Sequence, residues 1–264
     1  MPAASTDWAL FLDVDGTLLE FADSPDAVHV PAGLISLLLR LQHRLHGALA
    51  LISGRRIASL DNLFKPLVLP AAGLHGFECR DARGVMRQSP LDENVVIPLH
   101  RHCREIAAAF PDVLIEDKEF SVAFHYGAMR LQADSHKTAL DDETAAQHEV
   151  QHTRQPQALR ASLSAVARSL GFELLEGRSV FELKPATVNK GSALVDFMGE
   201  PPFAGRLPVF LGDDFTDEYA LRATRDLGGM AIQVDDRIEG SAQFGLPGPQ
   251  AVMQWLHNWE EQFL

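Results

Sequence analysis

Carboxylates recur in this chain where an apolar run breaks off. Leu10-Phe11-Leu12 leads into Asp13-Val14-Asp15-Gly16-Thr17, and the run from Leu207 to Leu211 leads into Gly212-Asp213-Asp214. An apolar run that stops in polar groups reads as a buried parallel strand whose carboxyl end reaches a site. Side chains at i and i+2 of a strand share a face, so Asp13 and Asp15 are expected to project together. Two carboxylates that close repel, and they persist as a pair when a cation lies between them or one keeps a proton. Ligation by oxygen alone suits a hard ion such as Mg2+. Gly16 permits a sharp turn, and Thr17 supplies a hydroxyl that orients a neighbouring carboxylate. Taken alone, the motif reads equally well as a strand followed by an ordinary Asp-Gly turn.

The segments around these runs alternate in period. Pro31 is expected to open a helix with the stripe Leu34, Leu37, Leu38, Leu41 and Leu45, closed by Gly47. Ala48 to Ile52 reads as a second buried strand that stops at Ser53-Gly54-Arg55; a helix near Arg56 to Phe64 and a third strand near Leu67 to Ala72 follow. This rhythm is that of a parallel sheet covered on both faces, whose ligands bind at the carboxyl ends of the strands. From Gly73 the pattern changes. Gly76 to Arg80 and Val85 to Gln88 read as a hairpin, then comes a helix from about Asp92 to Phe110 and antiparallel strands Val113 to Glu116 and Phe120 to His125. Gly127 to Gln157 is polar and reads as a mobile or partly helical excursion. A helix from Ala158 to Leu170 and strands Phe172 to Leu175 and Val180 to Leu183 complete a second helix-strand-strand set.

After Pro185 the core rhythm resumes. Lys190-Gly191 opens a helix to about Met198, the Leu207 strand follows, and Thr216 is expected to cap a helix whose first turn holds Asp217 and Glu218, as the dipole prefers. Met230 to Val234 reads as the last strand and Gln250 to Phe263 as the closing helix. The expected fold is α/β: a Rossmann-like doubly wound parallel sheet core formed by 1–90 and 186–264, with an α+β cap domain inserted at 91–185.

Composition narrows the function classes. The formal net charge of -13 over 264 residues argues against nucleic acid and anionic membrane as partners, since both are bound through clustered Lys and Arg. Only Cys79 and Cys103 are present, which indicates no disulfide framework and a reduced compartment. Met1 to Asp7 does not read as a signal peptide, and no apolar run reaches membrane-spanning length. A soluble, cytoplasmic monomer acting on a small molecule is expected. The eleven histidines show no zinc-type spacing; His136, His148 and His152 read as surface residues. A glycosidase pair would need its carboxylates further apart than one strand allows.

Three core strands therefore end in groups suited to one site, and Lys190 begins a helix on the same side of the sheet. A lysine or a strand-end serine is ordinarily a solvated surface group or a helix cap. Their convergence points to phosphoryl transfer, where positioning and charge neutralisation supply most of the catalysis. Asp13 would attack phosphorus and form an aspartyl phosphate, and Asp15 would serve as acid and then base. Ser53 and nearby N-H groups would bind phosphoryl oxygens while Lys190 counters the developing charge. Asp13, Asp213 and the carbonyl of Asp15 would hold Mg2+, with Asp214 a further ligand or water anchor. Asp217 is assigned to the helix dipole.

These residues, in this order, resemble the four motifs of the haloacid dehalogenase superfamily of phosphatases. A narrower set is similar to the trehalose-6-phosphate phosphatase family: Leu51-Ile52-Ser53-Gly54-Arg55, Gly73-Leu74-His75-Gly76, Glu116-Asp117-Lys118, His125-Tyr126, Val180 to Pro185 with Asn189-Lys190-Gly191, and Gly212 to Glu218. The resemblance covers about Leu10 to Phe263. It implies hydrolysis of trehalose 6-phosphate, with Thr17, Gly54, Arg55, His75 and Gly76 lining the core side of the substrate site. In the cap, it implies that Lys118 and Glu182 hold sugar hydroxyls, with His125 and Arg178 nearby. Where that family has His-Tyr-Arg, this chain has His125-Tyr126-Gly127, and Arg130 is the nearest replacement. The alternatives are another sugar phosphatase, of sucrose 6-phosphate or mannosyl phosphate type, a phosphomutase, and a non-catalytic module that has kept the fold.

Overall fold

Chain segments rich in Leu, Phe, Ile and Ala are buried along their whole length only where both faces of a strand are covered, and four of them build the centre of the first unit. Strands β1 (Trp8–Leu12), β2 (Leu49–Ile52) and β10 (Leu207–Gly212) have almost no exposed residue, and β11 (Met230–Val234) is nearly as enclosed. The computed structural model describes residues 5–21, 28–89, 93–118, 120–126, 142–177, 179–238 and 240–262. Its two compact units are Met1–Ser89 with Val188–Leu264, and Pro90–Thr187.

In the first unit an eight-stranded sheet runs in the order β12-β11-β10-β1-β2-β3-β4-β5, where β3 is Ala71–Gly73, β4 Glu78–Arg80, β5 Met86–Gln88 and β12 Phe244–Leu246. The pairs from β12 to β3 are parallel, and β4 and β5 add an antiparallel hairpin at one edge. After β1 the chain moves outward through β2 and β3; it returns on the other side of β1 as β10. The direction of winding thus reverses between β1 and β10, the place where such sheets bind ligands. Register is Trp8↔Leu207 through Leu12↔Leu211, so Asp13 and Asp213 leave neighbouring strand ends almost level.

Helices α1 (Leu34–Arg44), α2 (Ile57–Leu63), α5 (Lys190–Met198), α6 (Glu218–Asp226) and α7 (Pro249–Glu261) complete this unit. α1 buries Leu34, Leu37, Leu38 and Leu41, and Arg40 bonds Glu260 of α7 at 2.8 Å. The ring of Trp8 stacks on Trp259 at 5.2 Å, and Phe11 on Phe203 at 5.3 Å. Pro31 stands a turn ahead of α1, where its carbonyl accepts from Leu34 N-H; Gly33 is the N-cap.

The second unit has its own core. Strands β6 (Leu114–Asp117), β7 (Val122–His125), β8 (Phe172–Gly177) and β9 (Val180–Pro185) form an antiparallel sheet in the order β6-β7-β9-β8. Helices α3 (Glu93–Ala109) and α4 (Asp142–Leu170) accompany it, and Leu99, Phe124, Leu159, Leu163, Phe181 and Leu183 form the interior. Phe181 and Leu183 enter that core while Glu182 between them points to the opposite face, as strand parity demands.

Several expectations change. The third strand, expected near Leu67 to Ala72, is only Ala71–Gly73. The helix expected from Ala158 begins at Asp142, because Glu143, Ala145, Ala146, Gln147 and Glu149 are strong helix formers even without an apolar stripe. The preceding part of the expected excursion, with Gly127 and Arg130, lies outside the described residues, as does Arg178. The sheet also continues past Met230–Val234 into β12. Among the described residues no helix is long and apolar enough to cross a membrane.

Candidate active site

The carboxyl ends of β1 and β10 bring their carboxylates together around one ammonium group. Lys190 is the first residue of α5, whose start is fixed by a reciprocal cap: Asn189 Oδ1 accepts from Ser192 N at 2.9 Å, and Ser192 Oγ accepts from Asn189 N at 3.2 Å. Its Nζ donates to Asp13 Oδ1 and to Asp217 Oδ1, each at 2.7 Å, and all three residues are almost wholly buried. Carboxylate oxygens of Asp13, Asp213 and Asp217 lie within 4.8 Å of one another. Thr17 Oγ1 donates to Asp213 Oδ1 at 3.4 Å. The turn after β1 has room for this only because residue 16 lacks a side chain. Gly16 has φ +80°, and a Cβ there would stand 2.1 Å from Asp213 Oδ2.

Asp214 and Asp217 stabilise the turn that follows β10. Asp214 Oδ1 accepts from Thr216 N at 2.8 Å, Thr216 Oγ1 at 2.6 Å and Asp217 N at 3.2 Å. Asp217 Oδ2 accepts from the N-H groups of Asp213 and Asp214, each at 3.1 Å. The cap expected from Thr216 is therefore supplied by Asp214, because a carboxylate two residues earlier reaches both free N-H groups and the threonine hydroxyl as well. Asp217, assigned from sequence to the helix dipole, stands inside the carboxylate cluster. Its signal was the four-residue interval from Asp213, which returns the chain to the same side across one turn.

Burial dominates the electrostatics. It pushes the Asp13 carboxyl up to about 7, against the pull of Lys190 and with the push of Asp213. It does the same to Asp213, also to about 7, helped by the charges of Asp217 and Asp214. Burial raises Asp217 as well, opposed by Lys190. Lys190 loses hydration, yet Asp13, Asp217 and Asp214 outweigh that loss and hold it well above the ordinary lysine value, so it stays charged. Asp214 is exposed as a residue; the crowding its carboxylate feels opposes ionisation, but Lys190, Thr216 and Asp217 prevail and hold it low. Once ionised, three oxygen-only donors with one ammonium among them carry negative charge in excess. That donor set fits a hard divalent cation.

Beside this centre, Arg55 grips Asp15 with both arms of its guanidinium, Nε to Oδ2 and one terminal nitrogen to Oδ1, each at 2.7 Å. Ser53 Oγ accepts from Arg55 N at 3.1 Å. Gly54 faces His75, whose Nε2 would lie 2.9 Å from a Cβ at residue 54, and Gly76 abuts the Asn189 carbonyl that precedes Lys190. The core residues singled out from sequence are thus gathered in one region. In the second unit, Lys118 Nζ donates to Glu182 Oε2 at 3.3 Å and Ser121 Oγ to Glu182 Oε1 at 2.7 Å, while His125 pairs with Glu116 at 3.2 Å. Sequence reasoning does not single out Ser121; a lone serine just ahead of a short strand carries no pattern of its own.

A parallel sheet wound outward from both sides of a central strand, with a carboxylate and lysine centre at the strand ends and an inserted α+β unit, is a fold found in a Bacteroides thetaiotaomicron phosphatase of the haloalkanoate (HAD) enzyme superfamily, with a TM-score of 0.63 and 16% identity, covering 95% of this chain and 94% of that one. The C-terminal domain of C. albicans trehalose-6-phosphate phosphatase shares it with a TM-score of 0.74 and 18% identity, covering 97% of this chain and 93% of that one. A family model described as trehalose-phosphatase matches residues 11–244. A probable trehalose-phosphate phosphatase of Sinorhizobium fredii is 39% identical, covering 96% of this chain and 88% of the relative. Trehalose-6-phosphate phosphatase of Escherichia coli is 37% identical over 97% and 87%. The chain belongs to the trehalose-phosphatase family.

Proposed function

We propose that this protein is a phosphoric monoester hydrolase that converts trehalose 6-phosphate to trehalose and phosphate, serving trehalose biosynthesis, with Mg2+ as its cofactor. The observation that carries the reading is Lys190 bonded to both Asp13 and Asp217 beside Asp213 at the β1–β10 switch point, in a chain of this family.

Lys190 holds Oδ1 of Asp13, and the other carboxylate oxygen would attack phosphorus. The bond from phosphorus to the sugar oxygen breaks as the Asp13–phosphorus bond forms, and Asp15 gives that oxygen its proton. Asp15 then takes a proton from the water that hydrolyses the acyl phosphate and regenerates Asp13. The two bonds from Arg55 orient Asp15. Ser53 receives a phosphoryl oxygen, with Gly54 and Gly76 allowing close approach. Asp13, Asp213, Asp217 and the Asp15 carbonyl would hold Mg2+, which supplies charge neutralisation to the phosphoryl oxygens, and Asp214 keeps the ligand turn in shape. In the Pro90–Thr187 unit, Lys118, His125 and Glu182 offer the charged donors and acceptors that take sugar hydroxyls, which makes that unit the cap that sets specificity. The chain acts in the cytoplasm as a monomer, and its acidic balance supports the absence of nucleic-acid and membrane partners.

The test is a phosphate-release screen over sugar phosphates, with and without chelator, using Asp13→Asn as the blank. Trehalose 6-phosphate is expected to be the best substrate by a clear margin. A better turnover of sucrose 6-phosphate or a mannosyl phosphate would reject the substrate, and transfer to a second sugar without free phosphate would reject hydrolysis.

A further inference from the structure

Glu218 follows the acidic turn directly, and its side chain runs away from that turn. Its Oε1 accepts from Ser241 Oγ at 2.6 Å and its Oε2 from Ser241 N at 3.1 Å, so both carboxylate oxygens bond the β11–β12 loop, with Arg222 of the same helix 3.6 Å from Oε1. Contact is close enough that a Cβ on Gly240, at φ +63°, would fall 2.3 Å from Oε2. Ser241 is buried, whereas Asp235 to Ile238 of the same loop are exposed. The loop is therefore strapped down at one end by Glu218 and at the other by the pairing of β11 with β10, where Gly212 stands opposite Gln233.

The strap acts on a short stretch where several constraints meet. Asp217 takes Lys190 on one oxygen and the N-H groups of Asp213 and Asp214 on the other. One residue further on, the Tyr219 carbonyl lies so close to the start of α5 that a Cβ on Gly191 would be 2.4 Å away. The N-cap of α6, Asp217, is thus one carboxylate of the cluster, and the first turn of the helix supports the backbone beside Lys190. The dipole explains an acid at this place, but not one whose two oxygens reach a loop 23 residues away.

Resting on the metal reading given above, we infer that Glu218 is a positioning residue for the acidic centre: by tying Ser241 to the first turn of α6 it fixes Asp217, and through it Lys190 and Asp213, in the geometry that binds a divalent cation. Residues that orient metal ligands from behind typically cost 10- to 100-fold in affinity when removed. Glu218→Ala is expected to weaken Mn2+ binding by about 10-fold. Glu218→Gln keeps one acceptor and loses the other, so its loss is smaller, and Ser241→Ala, which spares the backbone bond, resembles it. The double variant of Glu218→Ala with Ser241→Ala should lose no more than Glu218→Ala alone, since both act through one contact.

The experiment is calorimetric titration of Mn2+ into each purified full-length variant, held well below its own melting temperature. A graded loss in the order unsubstituted, Ser241→Ala and Glu218→Gln, then Glu218→Ala supports the assignment. Unchanged Mn2+ affinity in a folded Glu218→Ala, with only a lower melting temperature, overturns it. If Glu218→Ala does not fold, Ser241→Ala decides by the same readout, since unchanged affinity there overturns the assignment too. Failure of the unsubstituted chain to bind Mn2+ or Mg2+ would instead overturn the metal reading, and the inference with it.

Discussion

Protons and a divalent cation should compete for the same oxygens. Asp13 and Asp213 are pushed up to about 7, burial being the larger cause in each case. In the metal-free protein they hold protons more tightly folded than unfolded. Their contribution to stability therefore falls as pH climbs from the ordinary aspartate value, near 4, to about 7, and changes little above that. A cation must displace whatever protons remain. With both groups titrating near 7, each is about nine-tenths protonated at pH 6 and about one-tenth at pH 8. Binding should then draw about 1.8 protons from these two groups at pH 6 and about 0.2 at pH 8. Apparent affinity should drop by about two to three orders of magnitude between pH 7.5 and 5.5. Titration calorimetry in buffers of different ionisation enthalpy counts the protons directly, and Asp213→Asn should lower the count at pH 6 by about one. Release of fewer than about half a proton at pH 6, or an affinity flat from pH 5.5 to 7.5, would show that these carboxylates are ionised without metal and refute the argument from burial.

Asp13→Asn keeps the shape of the side chain and removes the attacking oxygen, so phosphate release should fall by about 10^4-fold while thermal unfolding in the absence of metal changes little. Gly16→Ala forces a Cβ onto Asp213 at a left-handed backbone position and should cost about 1–3 kcal/mol, read as a lower denaturant midpoint together with lost metal binding. Arg55→Lys replaces a two-armed grip on Asp15 with a single ammonium; kcat should fall about 10- to 100-fold with little change in metal affinity, and an unchanged kcat would remove Arg55 from the acid–base machinery. Glu182→Ala should raise KM for trehalose 6-phosphate about 10-fold and leave hydrolysis of a small aryl phosphate unchanged; equal losses on both would contradict a role in sugar recognition.

Period made the core legible. β1, β2, β10 and β11 are continuously apolar and bounded by polar groups, so pattern alone places them within a residue or two. β12 was illegible because three half-buried residues around Gly245 carry no period, and only its pairing with β11 makes it a strand. The start of α4 differs for another reason: a helix without an apolar stripe reveals itself only through propensity. In the site, Asp13, Asp213 and Lys190 could be read from where they interrupt apolar or helical pattern. The roles of Asp214 and Asp217 could not be separated, since which of two nearby aspartates caps and which enters the cluster depends on a single turn of backbone.

The central pairing of the sheet joins Trp8 to Leu207 and Leu12 to Leu211. A nascent chain emerging from the ribosome will expose one bare flank of β1 until some two hundred residues have been made. Pro90–Thr187 is a compact unit of its own and can be finished first. Late closure of this kind makes for slow maturation. Truncation anywhere before β10 will therefore leave a sticky, aggregation-prone fragment rather than a smaller enzyme.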